Sequence, residues 1–74
     1  MQVTRIRQGE YRIAIYGFVF TLEKLYGSRN WTLYNSQGTE INQCEVKYGM
    51  LELMKDWSLE DAQQQNDQEF CTYA

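Results

Sequence analysis

The 74-residue chain has no histidine, no proline, two cysteines and no apolar run of membrane length. Histidine is the side chain whose ordinary pKa lies nearest neutrality, so its absence removes the commonest general acid–base. It also removes the usual nitrogen ligand of zinc, and Cys44 and Cys71 alone are too few to replace it. Cys44 has no activating cation beside it in sequence; its neighbour Glu45 would oppose a thiolate. Gly9, Gly17, Gly27, Gly38 and Gly49 stand singly and form neither a dinucleotide fingerprint nor a phosphate loop, so each reads as punctuation. The acids show no calcium-loop spacing. Glu60 with Asp61, and Asp67 with Glu69, lie in a polar stretch without the burial that perturbs a carboxylate. The expectation is a non-enzyme with no cofactor and no metal.

The apolar stretch from Ile13 to Phe20 is interrupted by Gly17 and falls short of the roughly 20 residues a spanning helix needs. Arg5, Arg7 and Glu10 occupy the N-terminal region with no apolar stretch beside them, which predicts no secretory leader. The two cysteines then read as reduced thiols in a cytoplasmic protein. The Asn30-Trp31-Thr32 sequon carries no sugar in that setting. A Cys44–Cys71 disulfide stays open, because sequence gives no Cα separation.

What the chain has is aromatic surface. Two Trp, six Tyr and three Phe make up 15% of it. A domain this short buries only about 60% of its unfolded surface, so large rings are an efficient core. No linker or repeat divides residues 1–74, which predicts a single domain with a flexible tail over 68–74.

Val3 to Arg7 has a weak strand pattern, and Gln8-Gly9 can reverse it. Tyr11 to Tyr16 is a stronger strand, rich in β-branched and aromatic residues. Gly17 is expected to bend or bulge one long strand, since a lone glycine is short for a reversal. Phe18, Phe20 and Leu22 share one face; Val19, Thr21 and Glu23 share the other. Tyr26 to Asn30 is a turn cluster, Trp31 to Asn35 pairs back, and Ser36-Gln37-Gly38 turns again. Cys44, Val46 and Tyr48 alternate with Glu45 and Lys47 as in a strand, although Asn42 and Glu45 are also spaced like a helix cap. Glycine inside a helix costs about 1 kcal/mol, so the expected order is strand, Gly49, helix. Met50, Leu53, Met54 and Trp57 recur at helical spacing. Ser58 with Asp61 marks a second helix over 59–67. Phe70 and Tyr73 are placed to tuck back onto the sheet.

The predicted fold class is α+β: an antiparallel meander of three to five strands, one amphipathic helix on one face and a short C-terminal helix. The predicted core is Ile13, Ile15, Phe18, Phe20, Leu22, Trp31, Leu33, Val46, Met50, Leu53, Met54 and Trp57.

Net charge is −3, unevenly placed. Residues 1–37 carry five cations and two acids; residues 38–74 carry two cations and eight acids. Such asymmetry predicts a bipolar surface. Glu52, Asp56, Glu60, Asp61, Asp67 and Glu69 are the candidate partner-binding residues, presented to a basic protein groove by charge complementarity. A groove of that kind often holds nucleic acid, so the expected partner is a nucleic-acid-binding protein or complex. In size, acidity and lack of chemistry the chain is similar, as a class, to the small phage and mobile-element proteins that block host defence, anti-CRISPR proteins among them. That class resemblance implies an inhibitor or adaptor; it rests on no motif and assigns no residue.

Two other readings use different residues. Arg5, Arg7, Arg12 and Arg29, with Tyr11, Tyr16, Trp31 and Tyr34, would make an aromatic and basic sheet face for single-stranded nucleic acid. The net charge and a pI of about 4.7 count against direct nucleic-acid binding. Alternatively, Phe18-Val19-Phe20 beside an open strand edge would seed a homodimer or larger assembly.

Overall fold

The computed structural model describes residues 1–68. Glu69, Phe70, Cys71 and Tyr73, and all but the first residue of the expected tail, lie outside the described residues. Within them the fold is α+β, as the pattern predicts. Five strands form one antiparallel sheet: β1 (Gln2–Arg7), β2 (Glu10–Ile15), β3 (Phe18–Glu23), β4 (Trp31–Tyr34) and β5 (Glu40–Cys44). They lie side by side in chain order, so every connection is local. Two helices follow, α1 (Lys47–Lys55) and α2 (Leu59–Asn66). The helix α1 lies over β4 and β5, and α2 over β3.

Gly17 does not bend a strand. It closes a two-residue hairpin in which Ile15 pairs with Phe18. Tyr16 has φ 51° and Gly17 has φ 82°. Both signs suit the turn whose twist matches the flanking strands, and only the glycine adopts such an angle without steric cost. Tyr16 is held there by its hydroxyl, which donates to the Trp57 carbonyl at 2.9 Å.

The expected order over 39–49 is also corrected. The strand ends at Cys44, and α1 already includes Lys47, Tyr48 and Gly49. Val46 precedes the helix in an extended conformation, which is why the segment reads as a strand. Asn42 caps nothing; it sits in β5 and accepts from the Gln43 amide. The helical glycine has a packing reason. A Cβ at position 49 would stand 3.0 Å from Cys44 Sγ, so glycine lets α1 fold tightly over the end of β5.

The buried core is Ile13, Ile15, Phe20, Leu22, Leu33, Met50, Met54 and Ala62. Phe18, Trp31 and Trp57 pack half-buried around it, as do Tyr11 and Leu51. Two expected members are outside: Val46 is 57% exposed and Leu53 44%. Val46 precedes the helix. At about 100° per residue Leu51 and Leu53 flank the Met50–Met54 stripe at equal angles on opposite sides, and it is Leu51 that packs against the core while Leu53 is left exposed. Ala62 holds α2 against the sheet, a small residue where close approach matters.

Asn35 is the buried polar hub, only 3% exposed. Its Nδ2 donates to the carbonyls of Gln65, Asn66 and Gln68, and its Oδ1 accepts from the Gln37 and Thr39 amides. The end of α2 is thereby fastened to the β4–β5 turn.

Among the described residues β1 and β5 each have one side without a strand partner. All six residues of β1 are exposed, and a bulge at Ile6 interrupts its register. The segment Phe18-Val19-Phe20 pairs with β2 on one side, but β4 pairs only with Thr21–Glu23 of β3, so on its other side the segment has no strand partner among the described residues.

Candidate functional site

The meander gathers its charges at opposite ends of the strands. At one end lie the β1–β2 turn, the β3–β4 loop and the start of α1. At the other lie the β2–β3 and β4–β5 turns, the end of α1 and both ends of the α1–α2 corner.

At the first end, Lys24 N–H donates to Gly9 O at 2.8 Å and ties turn to loop. Gly9 has φ 82°, and a Cβ there would meet Lys24 O at 3.0 Å, so this closure requires glycine. The two segments border a cleft of about 740 Å³, with Arg5, Arg7, Lys24, Tyr26 and Trp31 on its walls and Glu23 its one acid. Behind it, Tyr11 and Trp31 pack with ring centres 5.8 Å apart. Lys47 reaches in from α1, donating to Tyr11 Oη at 2.9 Å. Its ammonium sits 4.4, 5.1 and 5.8 Å from the ring centres of Tyr11, Tyr48 and Trp31. The hydrogen bond from Lys47 lowers the Tyr11 phenol below its ordinary range, and the same bond raises Lys47 above its own. Lys24 lies 6.0 Å from the Trp31 ring. Arg7 pairs with Glu10 at 2.7 Å. Among the described residues Arg5, Lys24 and Arg29 form no salt bridge.

The residues expected to form one basic sheet face are divided. Arg5, paired with Tyr11, points to the helix side, as does Trp31. Arg12 and Tyr34 stand on the open side, where with Val19 and Thr21 they edge a shallow depression of about 550 Å³. Arg29 is in the β3–β4 loop, and Tyr16 is at the far end. Sequence reasoning missed Lys24, Tyr26, Lys47 and Tyr48. The signal for the first two was their place in a glycine turn beside Arg29. Lys47 and Tyr48 were hidden by their assignment to a strand.

At the second end, Glu52, Asp56, Glu60, Asp61 and Asp67 are all exposed; Glu69 lies outside the described residues. Two of them have local work. Asp61 makes a reciprocal capping box with Ser58, both bonds 3.1 Å, and Glu52 accepts from Lys55 at 3.1 Å. Glu60 shares the first turn of α2 with Asp61, where negative charge suits the helix dipole. Asp56 and Asp67 are different. They occupy the C-caps of α1 and α2. A carboxylate there opposes the dipole by about 0.3–1 kcal/mol, and neither side chain has a hydrogen-bond partner among the described residues. Leu53 and Leu59, 44% and 54% exposed, lie between these acids in sequence.

Among the described residues no three His, Cys, Asp or Glu converge as a metal site. No helix there is long and apolar enough to cross a membrane. Compared with protein-family models, curated proteins and solved structures, the chain matches none.

Proposed function

We propose that the protein is a non-enzymatic, cytoplasmic binding module, an inhibitor or adaptor that lays its acidic helical end on a basic surface of a protein partner. The observation that carries this reading is the pair of C-cap carboxylates. Asp56 and Asp67 stand where folding favours a cation. A local rule broken without a structural gain marks a position kept for another purpose. Exposed Leu53 and Leu59 supply the apolar centre that a charged rim alone lacks. The partner is of the kind that holds nucleic acid in a cationic groove, which a small acidic protein can occupy by charge complementarity.

The test is capture from nuclease-treated lysate with wild type and an Asp56→Lys/Glu60→Lys variant, both first shown to melt cooperatively. The expected result is one stoichiometric partner that wild type retains, that the variant loses, and that binds nucleic acid less well when occupied. A partner retained equally by the charge-reversed protein would sink the proposal. Asp61 is left untouched, because its loss would uncap α2.

A further inference from the structure

We infer that the cleft at the opposite, basic end is a second binding site, one that takes a nucleotide unit: a base stacked on an aromatic wall with its phosphate against Arg5 and Lys24. The inference does not depend on the docking of the acidic end.

Three features of the cleft fit that ligand. First, its volume of about 740 Å³ lies in the range that accommodates small-molecule ligands. Second, its wall offers π-surface in two states. Trp31 is half-buried and braced by Tyr11, whereas Tyr26 is fully exposed beside Gly27. A fully exposed ring in a loop contributes nothing to the core, but it is a platform on which any base can stack. Third, the cations are available. Arg5 and Lys24 line the same cleft without a salt bridge among the described residues, whereas Arg7 is already paired with Glu10. Lys47 is committed to Tyr11 and adds positive potential from behind.

The overall charge of −3 does not prevent this. A six-residue strand is about 20 Å long. The Debye length at physiological ionic strength is about 8 Å. The cluster at the end of α1 and in α2 is thus about two screening lengths away, and an anion at the cleft responds chiefly to the local charges, where Arg5, Lys24 and Lys47 outnumber Glu23.

The experiment uses the full chain with Trp57→Phe. That change leaves Trp31 as the reporter and keeps a ring against Phe20, where Trp57 packs at 5.4 Å. Indole quenching is followed at low salt on adding oligothymidylate, thymidine monophosphate, inorganic phosphate or polyglutamate. Saturable quenching by the oligonucleotide is expected. Saturation by the mononucleotide as well would define a nucleotide pocket, and saturation by the strand alone a single-strand site; both support the inference. Tyr26→Ala should weaken binding about tenfold or more by loss of stacking. Arg5→Ala/Lys24→Ala should lower the slope of log affinity against log salt by about 0.7 per cation removed. Absence of quenching by either nucleotide ligand in the folded protein would overturn the inference. So would polyglutamate or phosphate binding as tightly as the strand, or an unchanged salt slope in the double variant. Concentration-dependent association, competed by salt and abolished by the same double variant, would assign the cleft to the acidic end of a second copy instead.

Discussion

The two ends of the sheet use their polar residues differently. At the acidic end, polar groups are part of the folding machinery: Ser58 and Asp61 cap α2, and Asn35 grips the last turn of that helix. Beneath them lie Met54 and Ala62, fully buried. At the basic end the scaffold is held by backbone closure at Gly9 and by half-buried rings, while Arg5 and Lys24 make no salt bridge among the described residues. Substitutions of the capping and core residues at the acidic end should therefore register as stability, and substitutions of the cations at the basic end as binding. An end that must fold as well as bind has few residues free to change; an end that only binds has several.

The sharpest contrast lies inside one helix. Met54→Ala should cost about 2–5 kcal/mol through lost burial and a residual cavity. Leu53→Ala, one residue earlier and largely solvated, should cost about 1 kcal/mol or less. Denaturant midpoints at unchanged slope would measure both. Equal losses would mean that the buried stripe runs through Leu53, as the bare periodicity suggests.

A second contrast runs between the ends. Asn35→Ala removes the five hydrogen bonds by which a buried amide ties the end of α2 to the β4–β5 turn and should cost about 1–3 kcal/mol. Arg5→Ala and Lys24→Ala should each stay within about 0.5 kcal/mol. In a domain of this size 1 kcal/mol moves the melting temperature by about 4–8 °C, so thermal melts resolve the difference. A basic-end variant that melts as early as Asn35→Ala would erase the distinction between the ends.

The parts of the fold legible in the sequence are those set by short-range rules. The β3–β4 hairpin announces itself through alternation and a Gly-Ser-Asn turn, and α2 through Ser58 and Asp61 three residues apart. The charge asymmetry between the halves survives only in part, since Lys47 of the acidic half joins Tyr11 at the basic end. The parts that were not legible depend on long-range packing. Gly49 looks like a helix boundary until Cys44 is placed beneath it. Gly17 looks like a bulge until Tyr16 is seen anchored to Trp57, forty-one residues away. Leu53 and Leu51 fit an amphipathic stripe almost equally well, and only the seating of α1 over β4 and β5 decides between them. For the site, sequence supplied Arg5, Arg7, Tyr11 and Trp31 but joined them to Arg12 and Tyr34 on one face that the register divides, since Arg5 and Arg12 lie on opposite sides of the sheet.

The smallest predicted effect probes the basic end without a ligand. Lys47 is bonded to Tyr11, lowering the phenol and raising the ammonium. The signs agree. The depressed phenol contributes stability above its ordinary value and loses it as pH falls through the folded value. The raised ammonium contributes stability below its own ordinary value and loses it as pH rises through the folded one. Their attraction is therefore strongest in the alkaline interval where the phenol has ionised and the ammonium has not. Phenolate absorbance should show one ring titrating below the ordinary phenol range in the wild type, and that step should move upward in Lys47→Met. Both groups are half-buried and still reached by solvent, so the accompanying change in stability should be slight. An unmoved step would place Lys47 away from Tyr11 and leave the cleft without its rear cation, while the acidic end, fixed by Ser58 and Asn35, would stand as described.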